Sequence, residues 1–361
     1  MAIDKRKLAI LNAIIQNYIL KGEPIGSRTL SKSSDLGVSS ATIRNEMSDL
    51  EELGFLEKTH TSSGRIPSDK AYRYYVDHLI RVNMTEFLER EKMKRELFAE
   101  MQQLDQVIKS GTKILSQFTK YTSIAMTPQL AMTKLKHIQL VPVDESKVLV
   151  VLVTDTGIVK NAFFRIDKEI PAEHLTIISN FLNDKFSGHY ISDINQEFSE
   201  KVLRELLEVK DSFSQVAPLI NESIDKLDQI NIVSEGLTNL FNYPEYGSIE
   251  RAREILEFIG DRDRVIELLN SHRDTEPGKI ITGKGSNEAS KVDIIIGSEN
   301  AQNQLKDCSL ITATYSLDGR EVGKIGVIGP KRMRYANVIQ VIQALVLDIN
   351  DILDNFYKKN K

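Results

Sequence analysis

Arg44 and Asn45 are the adjacent side chains in this sequence with the clearest chemical capability. An arginine can donate two hydrogen bonds to the edge of a guanine base, and an asparagine can form a similar pair with adenine. Ser40, Ala41 and Ser48 would share their face of a helix, and these small side chains would let the helix approach the bases closely. These residue types at this spacing predict a helix that reads DNA sequence in the major groove.

A helix that begins near Ser40 would position these side chains. Ser39 is a typical N-cap residue, because its hydroxyl can accept a hydrogen bond from a backbone amide in the first turn, and Val38 before it can pack on Ile43. The opposite face carries an apolar stripe at helical spacing, formed by Ile43, Met47 and Leu50. An ordinary capped amphipathic helix would show the same pattern, so this helix alone does not establish DNA binding.

The segment before this helix predicts a helix-turn-helix. Residues 26–34 are expected to form a short helix with Leu30 facing inward. Residues 35–37 provide the turn, in which a glycine allows the tight bend between crossing helices.

The segment after this helix predicts a wing. Gly54 is placed to end the helix, and residues 55–58 and 65–67 are expected to be short strands. Between them, Ser63 and Gly64 can form a tight hairpin turn. Helix, turn, helix and basic hairpin in this order favour a DNA-binding domain over an isolated amphipathic helix.

The predicted DNA-contacting residues lie on the short helix, the reading helix and the wing. They are Arg28, Thr29, Ser39, Ser40, Ala41, Thr42, Arg44, Asn45, Ser48, Lys58, His60, Thr61, Ser63 and Arg65. We expect Arg44 to contact bases and Arg65 to contact phosphate or the minor groove. The alternative for Arg44 is a pairing within its own helix, with Glu46 or Ser48.

Charge is unevenly distributed along the chain. The net charge is −4, whereas residues 166–279 hold 12 Lys and Arg against 23 Asp and Glu, a balance of −11 that leaves +7 for the rest. A local basic surface governs attraction to phosphate, so an acidic segment is compatible with a DNA-binding end. The single cysteine, Cys308, is typical of a reducing compartment, and we expect a cytoplasmic protein. Apolar runs such as residues 148–153 are far shorter than the roughly 20 residues that span a bilayer, so we expect no membrane.

The length of 361 residues predicts more than one domain, and the pattern of elements predicts an α+β fold. We expect a winged helix-turn-helix domain at residues 1–82 and a linker helix at 83–109. An antiparallel sheet domain is expected at residues 110–165 and 280–361, interrupted by a mainly helical insert at 166–279. The linker helix either packs on the domain that follows or pairs with a second copy of the chain, and the sequence leaves both open.

Strands are predicted in two sets on either side of the acidic insert. They comprise residues 135–143, 147–155 and 157–165, and then 280–283, 292–296, 309–315 and 322–328. We expect both sets to form one antiparallel sheet, closed by a long helix at residues 335–356. This arrangement resembles a GAF-type ligand-binding fold. The insert is expected to contain helices at residues 172–185, 197–213, 214–227, 237–240, 249–258 and 262–272.

Four motifs carry a resemblance to a known family. They are GSRTLS at residues 26–31, LGVSSATIRNEMSDLEELGFLEKTHTSSGRIPSDKAYRYYVD at 36–77, SENAQNQLKDCSLITATY at 298–315 and GVIGPKRMRYANVI at 326–339. The chain resembles the bacterial heat-inducible transcription repressor HrcA family. The resemblance implies a homodimeric repressor of chaperone operons that binds an inverted-repeat operator in double-stranded DNA. It also implies that the insert dimerises and that a GroEL-type chaperonin modulates activity. The alternative for the insert is a solvated acidic bundle without a partner.

No catalytic or cofactor-binding constellation is evident in the sequence. The six histidines are scattered, and residues 283–286 do not match the spacing of a phosphate-binding loop. We expect no enzyme activity, no metal and no cofactor, with Cys308 as a structural thiol. Lys331, Arg332 and Arg334 crowd near the start of the last predicted helix, where the helix dipole disfavours cations, so we expect an acidic partner. The alternative function is a metabolite-responsive winged-helix regulator with a GAF-like sensor domain.

Overall fold

The protein was analysed as a computed structural model. The structure describes residues 4–33, 36–59, 64–80, 90–99, 104–127, 133–155, 159–191, 194, 209–228, 230–271, 292–317 and 319–360. Within these residues the fold is α+β, with several helices, a short hairpin and two antiparallel sheets.

Three helices form the N-terminal part of the chain. They are α1 (Lys5–Lys21), α2 (Ser27–Ser33) and α3 (Ser40–Glu52). The predicted start of α3 is confirmed, because the Ser39 hydroxyl accepts a hydrogen bond from the Thr42 amide at 3.2 Å. The predicted apolar stripe of α3 is buried against α1, whose own buried residues include Ile10, Leu11, Ile14 and Ile15. The outward face of α3 therefore has a fixed direction relative to α1 and α2.

A hairpin of two short strands follows α3. Strand β1 (Leu56–Lys58) pairs with β2 (Arg65–Pro67), and Lys58 lies opposite Arg65. Ser63, the first residue of the predicted turn, lies outside the described residues. Gly64 allows a close approach of two backbone segments, because a Cβ at this position would lie 2.7 Å from Cβ of Pro24. Arg65 also exchanges backbone hydrogen bonds with Ile25, which fixes β2 beside the segment before α2.

The helix after the hairpin changes its pitch part-way along. Helix α4 (Asp69–Tyr74) begins at Ser68, whose hydroxyl accepts from the Ala71 amide, and it continues as a π-helical turn over Tyr75–Leu79. Tyr72 and Tyr75 are buried in the core.

The described part of the predicted linker helix packs on the C-terminal helix and does not form a separate spacer. Helices α5 (Arg90–Ala99) and α6 (Leu104–Thr119) are described, so α6 continues well beyond the predicted end at residue 109. A Cβ at Gly111 would lie 3.2 Å from Ile349 on the C-terminal helix. Within the predicted linker, Arg90 donates to Asp348 on the same C-terminal helix at 3.3 Å, so the described part of the linker packs on the domain that follows it.

The main sheet has five antiparallel strands. They are β3 (Thr122–Met126), β7 (Ile232–Glu235), β8 (Val292–Ile296), β9 (Cys308–Leu317) and β10 (Arg320–Pro330). Their order is β7-β3-β10-β9-β8. Sequence reasoning missed β3 and β7, and the strand predicted at residues 280–283 lies outside the described residues.

The expectation that both strand sets share one sheet was wrong. Strands β4 (Leu135–Asp144), β5 (Lys147–Thr154) and β6 (Val159–Arg165) form a separate three-stranded sheet. Helix α7 (Ala172–Phe186) lies along the free edge of β4, where Ser179 and Asn183 accept hydrogen bonds from the backbone of β4. These polar contacts pin β4 to α7 and leave its other edge to β5.

The predicted boundaries of the insert are also displaced from the observed interruption of the main sheet. Thr127 donates its amide to the Asn231 carbonyl at 2.8 Å, and Asn231 donates its amide to the Thr127 hydroxyl at 3.1 Å. The chain therefore leaves the main sheet after β3 and returns to it at β7. Within the interruption, helix α8 (Lys210–Asp228) continues through the predicted break after residue 213 and accommodates Pro218.

Residues 237–270 cover the main sheet and do not belong with the three-stranded sheet. They include helices α9 (Ile249–Gly260) and α10 (Arg262–Asn270). A distinct apolar cluster joins them to β3, β8, β9 and β10. It contains Ile124, Leu240, Tyr246, Ile255, Phe258, Val265, Leu268, Ile295, Cys308, Leu310 and Ile328.

The C-terminal helix α11 (Tyr335–Asn360) packs on β9 and on α6. Among the described residues it is the one helix long and apolar enough to cross a membrane, over Tyr335–Asn355, and 72% of its most apolar window is buried inside the protein. Burial of this kind is typical of the core helix of a globular domain.

The observed connectivity predicts how two deletions differ. Removing residues 166–279 takes away β7, α9 and α10 and exposes the apolar cluster under the main sheet, so we expect loss of cooperative thermal unfolding. Removing residues 128–230 and joining Thr127 to Asn231 with a short glycine-serine linker should leave a cooperatively unfolding protein, because those two residues already contact each other. Thermal unfolding of the two deletion variants, followed by circular dichroism, compares their cooperativity. Cooperative melting of the first variant would contradict this assignment.

Candidate nucleic-acid interface

The outward face of α3 presents polar side chains to solvent. Ala41, Arg44, Asn45 and Ser48 are exposed, as predicted from helical spacing. Among the described residues, Arg44 has no hydrogen-bond or ion-pair partner. The alternative pairing of Arg44 within its own helix is therefore not observed, and its guanidinium is available to a ligand.

Glu46 is occupied on the opposite side of α3. Its carboxylate lies 2.9 Å from Lys7 Nζ, and Asp49 lies 3.0 Å from the same ammonium. The hydrogen bonds that Lys7 donates to Glu46 and Asp49 raise the pKa of Lys7, so this lysine stays charged over the physiological range. These contacts with α1 hold Glu46 and Asp49 on the side of α3 away from Arg44.

Residues from α2, α3 and the hairpin converge on one open groove. Its volume is about 620 Å³, and its lining residues are Gly26, Ser27, Arg28, Thr29, Arg44, Met47, Lys58 and Arg65. Four of these side chains are cationic. The structure thus brings Arg28, Thr29, Arg44, Lys58 and Arg65 of the predicted set together.

Arg65 differs from its expected arrangement on the wing. Its Nε donates to Glu51 Oε2 at 2.7 Å, and its side chain is only 17% exposed. Lys58 Nζ lies 2.9 Å from Glu51 Oε1 and is 65% exposed. The hydrogen bond from Lys58, together with that from Arg65, keeps the pKa of Glu51 below its ordinary value despite the opposing effect of burial. A phosphate contact by Arg65 stays a prediction, and it requires competition with Glu51.

The remaining predicted residues have other placements. Ser39 and Thr42 are linked to each other at the start of α3, with 3.0 Å between their hydroxyl oxygens. Ser40 is half-buried in the first turn of α3. His60, Thr61 and Ser63 lie outside the described residues.

Glu51 and Lys7 are the residues that sequence reasoning missed. Glu51 follows Arg44 by seven residues, so helical spacing places both on one face of α3. An acid on a face otherwise polar and basic is a signal that the sequence contains. The sequence contains no comparable signal for the pairing of Lys7 with Glu46, because this pairing depends on how α1 crosses α3.

Polar contacts hold α4 against the main sheet. Arg73 donates to Glu299 Oε1 at 2.9 Å and to the Ile294 carbonyl at 2.6 Å. Asp69 Oδ1 lies 2.8 Å from Lys331 Nζ, and Asp69 Oδ2 accepts from the Ser298 amide at 2.9 Å. We call these contacts of Asp69 and Arg73 the domain joint. Burial alone would raise the pKa of Asp69, but the hydrogen bonds from Lys331 and Ser298 outweigh it and lower this pKa.

Two further features adjoin the joint. Gly297 has a positive φ of 53°, and a Cβ there would collide with the Asp69 carboxylate. Arg332 binds Glu245, with Nη2 to Oε2 at 3.1 Å, which supplies the acidic partner that the cations before α11 were expected to need.

Among the described residues, neither a metal-binding cluster nor an exposed cysteine occurs. Across the described ranges, no group of three or more His, Cys, Asp or Glu side chains could hold a metal ion. Cys308 is buried, where burial raises the pKa of its thiol and the Tyr246 hydroxyl donates to its sulfur at 3.4 Å.

Comparison with known proteins identifies the family. The family described as HrcA protein C terminal domain matches residues 105–339. The heat-inducible transcription repressor HrcA of Alkaliphilus metalliredigens is 40% identical over 99% of this chain and 100% of its own length. That of Clostridium tetani is 40% identical over 98% of this chain and 96% of its own. This chain belongs to the HrcA family.

The HrcA relatives share a function. They are transcription repressors of heat-inducible genes, a non-enzymatic class of protein that acts on DNA, and this chain is such a repressor. A solved structure described as a hypothetical protein matches 98% of this HrcA chain and 100% of its own, with 21% identity and a TM-score of 0.63. This likeness supports the fold alone.

The joint leads to a prediction about pH. Because the folded pKa of Asp69 is depressed, its contacts stabilise the fold above about pH 4 and are lost as the pH falls through the folded pKa. Asp69→Asn should therefore reduce the free energy of unfolding by about 1–3 kcal/mol at pH 7. The difference from the parent should shrink below about pH 4.

Urea unfolding of both proteins from pH 7 to pH 3 measures this difference. Asp263→Asn is the matched control. Asp263 is 89% exposed, and its ion pair with Arg262 is long, at 3.8 Å. It should change stability little at any pH. A destabilisation by Asp69→Asn that stays constant down to pH 3 would contradict the assignment.

Proposed function

We propose that this repressor binds double-stranded operator DNA through a winged helix-turn-helix formed by α2, α3 and the hairpin. The convergence of four cationic side chains on one groove supports this proposal, together with the unpartnered Arg44 on the outward face of α3. Arg44 and Asn45 would contact base edges, with Ala41 and Ser48 allowing close approach. Arg28, Thr29 and Lys58 would contact phosphates.

The repressor would recognise an inverted repeat as a homodimer. We place the dimer contact on the outer face of the three-stranded sheet, where Val141, Leu149 and Phe163 form one row across the strands. A second row contains Val153 and Val159. Phe163 is 65% exposed, and an apolar face of this kind favours association. Because one patch on each of two identical chains can pair about a two-fold axis, the occupant that we propose is a second copy.

These assignments revise the proposed domain boundaries. The DNA-binding domain would comprise residues 1–80, and the dimerising insert would comprise residues 128–230. A GAF-like sheet domain would be formed by the main sheet, α5, α6, α9, α10 and α11. The joint would then hold each DNA-binding domain against its own sheet domain, so that dimerisation spaces two reading helices.

We also propose that a GroEL-type chaperonin modulates this repressor, because the four motifs resemble those of the HrcA family. A metabolite-responsive function has less support. Its support is the GAF-like resemblance alone, since the apolar cavity lined by residues such as Leu152, Phe186 and Ile220 lies beneath the three-stranded sheet, outside the GAF-like domain, and holds about 10 Å³.

The role of Arg44 is tested by substitution. Arg44→Ala should cost about 1–3 kcal/mol per half-site and reduce the preference for operator over scrambled duplex, because a base contact is lost. Gel shifts on both duplexes, with and without purified chaperonin, measure this preference and the chaperonin effect together. Arg253→Ala is the control, since Arg253 is exposed on α9 and has no partner in the described structure. An operator preference that survives Arg44→Ala would show that another face reads DNA.

The dimer surface is tested by placing a charge on it. Phe163→Asp should convert the dimer to a monomer and weaken binding to the full operator, while binding to a single half-site is retained. Sedimentation velocity and half-site titrations measure the two effects. Ile249→Asp is the matched control, because Ile249 is 77% exposed on a different surface. If Phe163→Asp sediments as a dimer, the contact lies elsewhere.

A further inference from the structure

Glu51 occupies an unexpected position for an acid. It lies in the last turn of α3, on the same face as Arg44, and its side chain is 23% exposed. One carboxylate oxygen binds Lys58 on β1 and the other binds Arg65 on β2. A single acid on the reading helix therefore holds one cation from each strand of the hairpin.

The fold of the hairpin is secured by other contacts. The backbone ladder pairs Leu56 with Pro67, and Arg65 exchanges backbone hydrogen bonds with Ile25. The Ser68 hydroxyl donates to the Gly54 carbonyl at 2.7 Å, and Lys70 donates to the Leu53 carbonyl at 2.7 Å. The position of the hairpin relative to α3 is thus set without the charge of Glu51.

The negative charge of Glu51 lowers the affinity of this surface for DNA. A carboxylate beside a polyanion repels phosphate, and its ion pairs withhold two cations that would otherwise neutralise phosphates. The acid stays ionised near neutral pH, because the hydrogen bonds from Lys58 and Arg65 lower its pKa. Its net effect is to reduce attraction to DNA of any sequence.

This effect differs between operator and random DNA. Cations released from an acid can meet phosphates in many docking geometries, which favours non-specific complexes. Cations held at fixed positions match phosphates only when α3 is seated with its base contacts made. Holding the wing cations in place therefore penalises random DNA more than operator.

We infer that Glu51 determines specificity by positioning Lys58 and Arg65 and withholding them from phosphates on non-operator DNA. This inference rests on the proposed DNA-binding face. Glu51 is a positioning residue, because it acts through the two cations rather than by contacting a base.

The decisive variant is Glu51→Gln in the full-length chain, which removes the charge and nearly keeps the shape. Affinity for scrambled duplex should rise about three- to tenfold, while affinity for operator rises less, so the operator preference falls. The slope of log affinity against log salt on scrambled duplex should steepen by about 1–2, roughly 0.9 for each cation released. A thermal melt should show that the variant is folded.

Glu52→Gln is the matched control. It makes the same charge change one residue later, on an exposed side chain that has no ion-pair partner in the described structure. It should raise both affinities by the same small factor and leave the operator preference unchanged. Glu51→Asp, which keeps the charge, should restore part of the preference.

Two outcomes would overturn the inference. If Glu51→Gln and Glu52→Gln change both affinities alike, only total charge matters. If Glu51→Gln weakens both affinities and lowers the melting temperature, Glu51 is only a structural residue. Arg44→Ala tests the proposed DNA-binding face separately. If Arg44→Ala loses operator preference, that face reads DNA even when Glu51 has no special role.

Discussion

The joint made by Asp69 and Arg73 is the constraint on which the arrangement of the repressor depends. Helix α4 is separated from β2 by Ser68 alone, and Ser68 binds the carbonyl of Gly54 at the end of α3. Helix α3, the hairpin and α4 therefore form one connected piece. Because Arg73 and Asp69 bind the sheet unit through side chains and backbone, the direction of α3 is set relative to α11 and the main sheet. Any displacement of the main sheet at this point would move the whole surface that we propose to face DNA.

The sequence determines the local elements near the interface well. Ser39 and the stripe from Ile43 to Leu50 predict the start and inward face of α3, because capping and helical periodicity are local properties. The long α11 is equally evident from its apolar periodicity. Sheet membership is not local. Strand β3 is five residues long and buried on both faces, so it lacks the alternation that marks a half-buried strand. A pattern of period two also predicts a strand without naming its neighbour, which is why β4, β5 and β6 were assigned to the wrong sheet.

The candidate interface shows the same division between local and tertiary information. Exposure of Arg44 and Asn45 follows from spacing along one helix. The engagement of Arg65 by Glu51 depends on a hairpin folding back across α3, over a separation of 14 residues. The engagement of Glu46 by Lys7 likewise depends on helix crossing. Residue type and exposure can be predicted for such a surface, whereas the neutralisation of each charge requires the tertiary structure.

The strand order of the main sheet has a consequence for biosynthesis. The central strand β10 is formed by Arg320–Pro330, and its neighbour β3 is formed by Thr122–Met126. Strand β7 can pair with one edge of β3 once residue 235 has been made, but a nascent chain that leaves the ribosome from its N-terminus must keep the other edge of the apolar β3 unpaired until nearly all of the protein has been made. The residues that receive α4, including Glu299 and Lys331, also emerge late. Closure of such long loops is entropically slow and leaves apolar surface open to aggregation. Newly made chains would thus anchor α4, and with it the proposed DNA-binding surface, only at the end of translation.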